Sequence, residues 1–137
     1  MVITTPTQDE GDAINEMTAL VDDYLSAWNE TDPGARRAIV EKVWDPEGVY
    51  TDPLASVAGT EAIDQVLAGA QQQFAGMRFV RGDVFETHHN VARFTWELVP
   101  ASGGEAVVIG FDVVAVNDEK ITSVYGFIDK MPGQTAM

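Results

Sequence analysis

The chain has 137 residues, 22 acidic against eight basic for a net charge of −14, and no cysteine. That length supports one domain with a single core, and the missing cysteines exclude disulfides and thiolate chemistry. So negative a molecule repels phosphate backbones and anionic lipid, which argues against nucleic-acid and membrane-surface partners. No run approaches the ~20 apolar residues of a membrane span and the N-terminus lacks a basic segment followed by an apolar one, so a cytoplasmic location is expected. The two histidines are adjacent and the acids show no zinc spacing, so no metal and no other cofactor is expected.

Residues 1–9 show no periodicity and read as a flexible tail, followed by a single domain over 10–129 and a second tail over 130–137. Ile14, Met17, Leu20, Val21, Tyr24, Leu25 and Trp28 recur at i, i+3 and i+4, the pattern of an amphipathic helix. Tyr24 therefore points inward, with Trp28 beside it one turn on. Asp32-Pro33 starts a second helix over 33–43, Asp capping free N–H groups and Pro suiting the first position. It buries Ala35, Ile39, Val43 and Trp44, while Arg36, Arg37, Glu41 and Lys42 read as a solvated face. The stretch 44–59, W-D-P-E-G-V-Y-T-D-P-L-A-S-V-A-G, reads as a helix end, a turn at Pro46 and Gly48, and a short strand over Val49, Tyr50 and Thr51. Asp52 comes next, held at the strand end by Pro53, whose ring disfavours helix and whose missing N–H ends regular pairing. Such an acid either starts a turn or does chemistry. Gly59-Thr60 opens a third helix capped by Thr60, with Ile63, Val66, Leu67, Ala70 and Phe74 inward until Gly76 stops it.

Beyond Gly76 the period changes from 3.6 to 2. A long strand over 77–88, bulged at Gly82, leads through Asn90 into a second over 91–99, with Phe94, Trp96 and Leu98 on one face and Arg93, Thr95 and Glu97 on the other. Arg93 is read as an outer-face or dimer-contact residue paired with Glu97. After the loop P-A-S-G-G comes A-V-V-I-G-F-D-V-V-A-V over 106–116, apolar on both faces and so covered on both. A turn at 117–120 precedes the last strand, over 121–129. The order ααβαββββ is an α+β fold, in which a curved antiparallel sheet wraps around helices to form a cone with an open pocket. The convex face then needs cover of its own, and a homodimer through it is expected. Asp112 interrupts the apolar central strand. An ionised carboxylate left unpaired there is severely penalised, so it stays protonated, pairs with a cation or faces a polar cavity. One of His88 and His89 must face inward if both lie in a strand, and a histidine titrates near neutrality without help.

The run D-Y-L-S-A-W-N-E-T-D, then V-Y-T-D-P, G-T-E-A-I, V-V-I-G-F-D-V-V-A-V and I-T-S-V-Y-G-F, resembles the nuclear transport factor 2-like superfamily across 17–129. It is most similar there to the ketosteroid isomerases and the SnoaL-like polyketide cyclases. The resemblance to the isomerases implies a general base at Asp52, directly before a proline, and an oxyanion hole made by Tyr24 and a protonated Asp112 kept neutral by its apolar site. It implies proton abstraction next to the carbonyl of a small apolar compound, ending in an isomerisation. Trp28, Tyr50, Phe94, Trp96, Leu98 and Phe127 would bind that substrate as apolar walls. The resemblance to the cyclases implies instead that Asp112 is an ionised base working with His88 in an aldol closure, with Asp52 secondary. A third reading is a non-catalytic ligand-binding or dimerisation module of the same fold.

Overall fold

The computed structural model describes residues 8–131. Three helices come first or early in the chain: α1 (Gln8–Asn29), α2 (Pro33–Val43) and α3 (Thr60–Gln73). Six strands complete it: β1 (Trp44–Thr51), β2 (Ser56–Ala58), β3 (Met77–His88), β4 (Val91–Pro100), β5 (Val108–Asn117) and β6 (Lys120–Lys130). The strands form one open sheet in the order β2-β1-β6-β5-β4-β3. All neighbours run antiparallel except β1 and β6, which are parallel. The expected α+β cone is therefore the fold, with one parallel seam where the early strand inserts beside the last one.

Several local expectations are corrected. Helix α1 begins at Gln8 and β6 ends at Lys130; the flexible tails expected over 1–9 and 130–137 lie mostly outside the described residues. Strand β1 starts at Trp44 and passes through a register break before Val49, where the expected turn forms as an irregularity inside the strand. Gly48 permits this close folding, since a Cβ there would lie 2.5 Å from the Trp44 ring. Strand β2, three residues long, escaped the pattern because a run that short shows no alternation. Helix α3 is capped by Gly59 at φ 92 with no side-chain bond, so Thr60 is not its cap. The bulge expected at Gly82 falls within the shift between Arg81 and Phe85.

The core lies between the helices and the concave face of the sheet. Met17, Val21, Tyr24, Leu25 and Trp28 of α1 are buried against Val40, Val43, Ile63, Leu67, Phe94 and Val124. Arg36 does not belong to a solvated face. It is buried, with Nε 2.8 Å from Asp64 Oδ1 and Nη1 donating to Gln71 Oε1 at 3.1 Å. Gln71 Nε2 in turn donates to the carbonyls of Trp28 at 3.0 Å and Glu30 at 2.8 Å. These are carbonyls that the end of α1 leaves without helical partners, so one buried network ties α2 and α3 to the turn of α1 that carries Trp28. Among the described residues no helix is long and apolar enough to cross a membrane.

Candidate active site

Asp52 directly follows β1, where the Pro53 ring ends regular pairing. Its Oδ1 accepts from the backbone N–H of Leu54 at 2.7 Å and of Ala55 at 2.8 Å, the side-chain turn expected of an Asp before a proline. Its Oδ2 accepts from the Tyr50 hydroxyl at 2.6 Å. Tyr50 stands two residues earlier on the same strand and so on the same face.

Asp112 is buried at 4 % exposure, and both its oxygens are occupied. The Tyr24 hydroxyl donates to Oδ2 at 2.9 Å and the Trp96 indole N–H to Oδ1 at 2.9 Å. Burial raises the Asp112 carboxyl to about 7; the Tyr24 and Trp96 bonds oppose that rise, and the nearby Asp52 charge adds to it. Burial likewise pushes both phenols up, Tyr24 and Tyr50, helped by the Asp112 carboxyl beside them. Both stay protonated at neutral pH and serve as hydrogen-bond donors. Gly126 of β6 separates the two acids: a Cβ on it would lie 2.9 Å from Asp112 Oδ1, 3.3 Å from Asp52 Cβ and 3.7 Å from the Tyr50 hydroxyl.

Both acids line a cavity of about 290 Å³. Among the described residues, Asp52 and Asp112 are the only charged side chains lining it. A chain of rings forms one wall, Tyr50–Trp28 at 5.6 Å, Trp28–Phe79 at 5.1 Å and Phe79–Trp96 at 5.7 Å between centroids. Leu98, Val66 and Phe74 add aliphatic and aromatic surface, and Leu54 and Met131 also line the cavity. The Trp28 N–H is buried without a partner in hydrogen-bonding geometry, though near enough to the Tyr24 phenol to work against its rise.

The SnoaL-like domain family matches residues 21–124. The chain belongs to the SnoaL-like family. A SnoaL-like protein of Agrobacterium tumefaciens, proposed to be an isomerase, is 36% identical over 84% of this chain and 98% of its own, with a TM-score of 0.79. A protein of Jannaschia, proposed to be a SnoaL-like polyketide cyclase, is 15% identical over 93% of this chain and 92% of its own, TM-score 0.68. One of Kribbella flavida, proposed to be a ketosteroid isomerase, is 15% identical over 90% and 84%, TM-score 0.65. At these lower identities the likeness is of fold alone. No curated protein matches the sequence.

Within this SnoaL-like fold the expected site residues divide. Asp52, Asp112, Trp28, Tyr50, Trp96 and Leu98 meet at the cavity. Tyr24 does not line it; fully buried behind Asp112, it reaches the site only through that carboxyl. Phe94 is likewise core, edge-on to Tyr24 at 6.1 Å, and is not a wall. Phe127 borders the cavity along β6, but its ring points the other way from Gly126, stacks on Phe111 at 4.9 Å and is half exposed. His88 is exposed at the end of β3, opposite Val91, with His89 turned out beside it at φ 52. Three residues along and two strands over from Asp112, it is roughly 14 Å away by strand spacing. It cannot partner that acid. Arg93 is on the outer face as expected but pairs with Glu86, not Glu97. Phe79 and Gly126 were not anticipated; the signal for Gly126 was a glycine inside an apolar strand, which marks close approach of another group.

Proposed function

We propose that the protein is a cofactor-independent isomerase that moves a proton next to the carbonyl of a small, neutral, largely apolar compound. The Asp52 carboxylate takes the α-proton, and the C–H electron pair passes through the α-carbon to the carbonyl oxygen. Neutral Asp112 donates a hydrogen bond to the enolate oxygen as it forms. Protonated Asp52 returns the proton to a conjugated carbon, so the product is an isomer and the enzyme is regenerated. Tyr24 does not touch the substrate in this scheme: by donating to Asp112 Oδ2 it polarises the acid. Tyr50 holds Asp52. The observation that carries the reading is the pair of carboxyls flanking Gly126 in one apolar cavity, with Asp112 raised to about 7.

The test is solvent-deuterium exchange into a panel of enolisable ketones, followed by NMR. Asp52→Asn is expected to slow exchange by about 10²–10⁴-fold while remaining folded; equal exchange in the variant would remove Asp52 as base, and no exchange in the wild type would leave a ligand-binding module.

A second reading has one observation in its favour. An acid at about 7 also suits a general base at neutral pH, so Asp112 could be the base of an aldol closure of cyclase type, without His88. The two readings predict opposite pH limbs. The isomerase needs Asp112 protonated and slows as pH rises through about 7; the cyclase needs it ionised and speeds up.

A further inference from the structure

This inference deepens the proposed proton transfer and rests on that reading. Trp96 on β4 stands directly opposite Gly110 of β5. Its Nε1 nevertheless reaches Asp112 Oδ1 at 2.9 Å, two residues further along β5 on the same face. That lateral reach requires the indole to lie down across the strand. Gly110 leaves the room: a Cβ there would come within 2.4 Å of Trp96 Cζ2 and 2.8 Å of Cε2, the carbon that carries Nε1. Gly126, opposite Asp112 on β6, does the same for the acceptor.

The two donors on Asp112 are not equivalent. The Tyr24 hydroxyl can rotate, donating to the carboxylate and to the substrate-engaged acid, or accepting the Oδ2–H of the acid when no substrate takes it, so it accommodates either state. The indole N–H only donates, so it favours the charged form and confines the proton of the neutral acid to Oδ2. The other groups facing Asp112 are Tyr50 and Asp52 from β1, while β6 presents Gly126 and α3 presents the apolar Val66 and Ala70 to the cavity. No cation lines this cavity among the described residues.

We propose that Trp96, seated on Gly110, is a positioning residue that sets how readily Asp112 releases its proton. Its indole N–H thereby determines the pH range in which the acid can serve as a donor to substrate.

The experiment is a ¹³C-carboxyl NMR titration of Asp112 in the wild type and in Trp96→Phe, with thermal unfolding as the check on folding. Loss of a hydrogen bond to a charged group is expected to move the Asp112 midpoint upward by about one to two pH units. An unmoved midpoint in a folded variant overturns the proposal. Should Trp96→Phe not fold, the wild-type Trp96 indole ¹⁵N–¹H resonance decides: a shift at the Asp112 midpoint supports the coupling, and a signal flat through it overturns the coupling. Neither readout needs turnover. Absence of deuterium exchange with every ketone would remove the proposed activity and leave this test standing, whereas an unmoved Asp112 would remove only the role of Trp96.

Discussion

Asp112 carries a cost that depends on pH. Its carboxyl is raised from 3.8 to about 7 in the fold, so the folded state holds its proton more tightly than the unfolded chain. The stability linked to this group is fully present below the unfolded value of 3.8 and is lost as pH rises through about 7. Asp112→Asn, neutral at every pH, should therefore be more stable than the wild type at pH 8 by a few kcal/mol, about 2–4, with the difference vanishing toward pH 4. Its amide oxygen can accept from Trp96 and its amide N–H can donate to Tyr24, so both bonds survive. Chemical denaturation at the two pH values measures this; a variant less stable at pH 8 would mean that the carboxylate is the favoured form. Asp112 was conspicuous in the sequence because a charge in an apolar strand demands an explanation. The aim of the Tyr24 hydroxyl was not: helical spacing fixes which face a residue is on, but not whether a polar tip ends in the cavity or one atom short of it. Tyr50 was legible in principle, since i and i+2 share a strand face and Asp52 was already singled out.

At the scale of elements, the geometry of the site depends on α1 being held where Tyr24 can meet Asp112. The Arg36–Asp64–Gln71 network does this at the end of α1; in the sequence a helical Arg next to another Arg looks like a solvated face, and the partners that bury it come from a different helix. A buried pair stripped of one member leaves an uncompensated charge. Arg36→Ala should accordingly destabilise the fold by about 3–5 kcal/mol, whereas Arg37→Ala, on an exposed Arg37–Glu41 pair, should change stability by less than about 1 kcal/mol. Equal effects in thermal unfolding would contradict this account of the helix layer. The long elements, α1, α2, α3 and β3 to β6, are legible in the sequence from period together with the Asp32-Pro33 start, the turns and the apolar run of β5. What period could not supply was the parallel seam of β1 with β6, which joins strands about 75 positions apart in the chain and follows from tertiary packing rather than from either segment. The inward histidine failed for a related reason: strand alternation turns one of His88 and His89 inward, but it cannot say that β3 runs out past the cavity there.

For the whole molecule, the convex face of the sheet carries Phe111 and Phe127 in a stack, with Tyr125 48 % and Phe127 50 % exposed. We propose that a second copy covers this face, because β5 is apolar outward at Ile109, Phe111 and Val113 as well as inward. Light scattering on the wild type is expected to give twice the chain mass, and Phe127→Asp to give the monomer; a wild-type monomer would contradict the pairing. The charge of −14 and the two acids in the cavity together oppose anionic ligands, which is consistent with a neutral substrate. The measurement that bears most directly on the two-acid site is the rate of α-deuterium exchange against pH. The rate should fall as pH rises through about 7, where Asp112 loses its proton, and that falling limb should be absent in Asp112→Asn. A rate that climbs through the same range, or a limb that persists in Asp112→Asn, would contradict the assignment of Asp112 as the neutral donor.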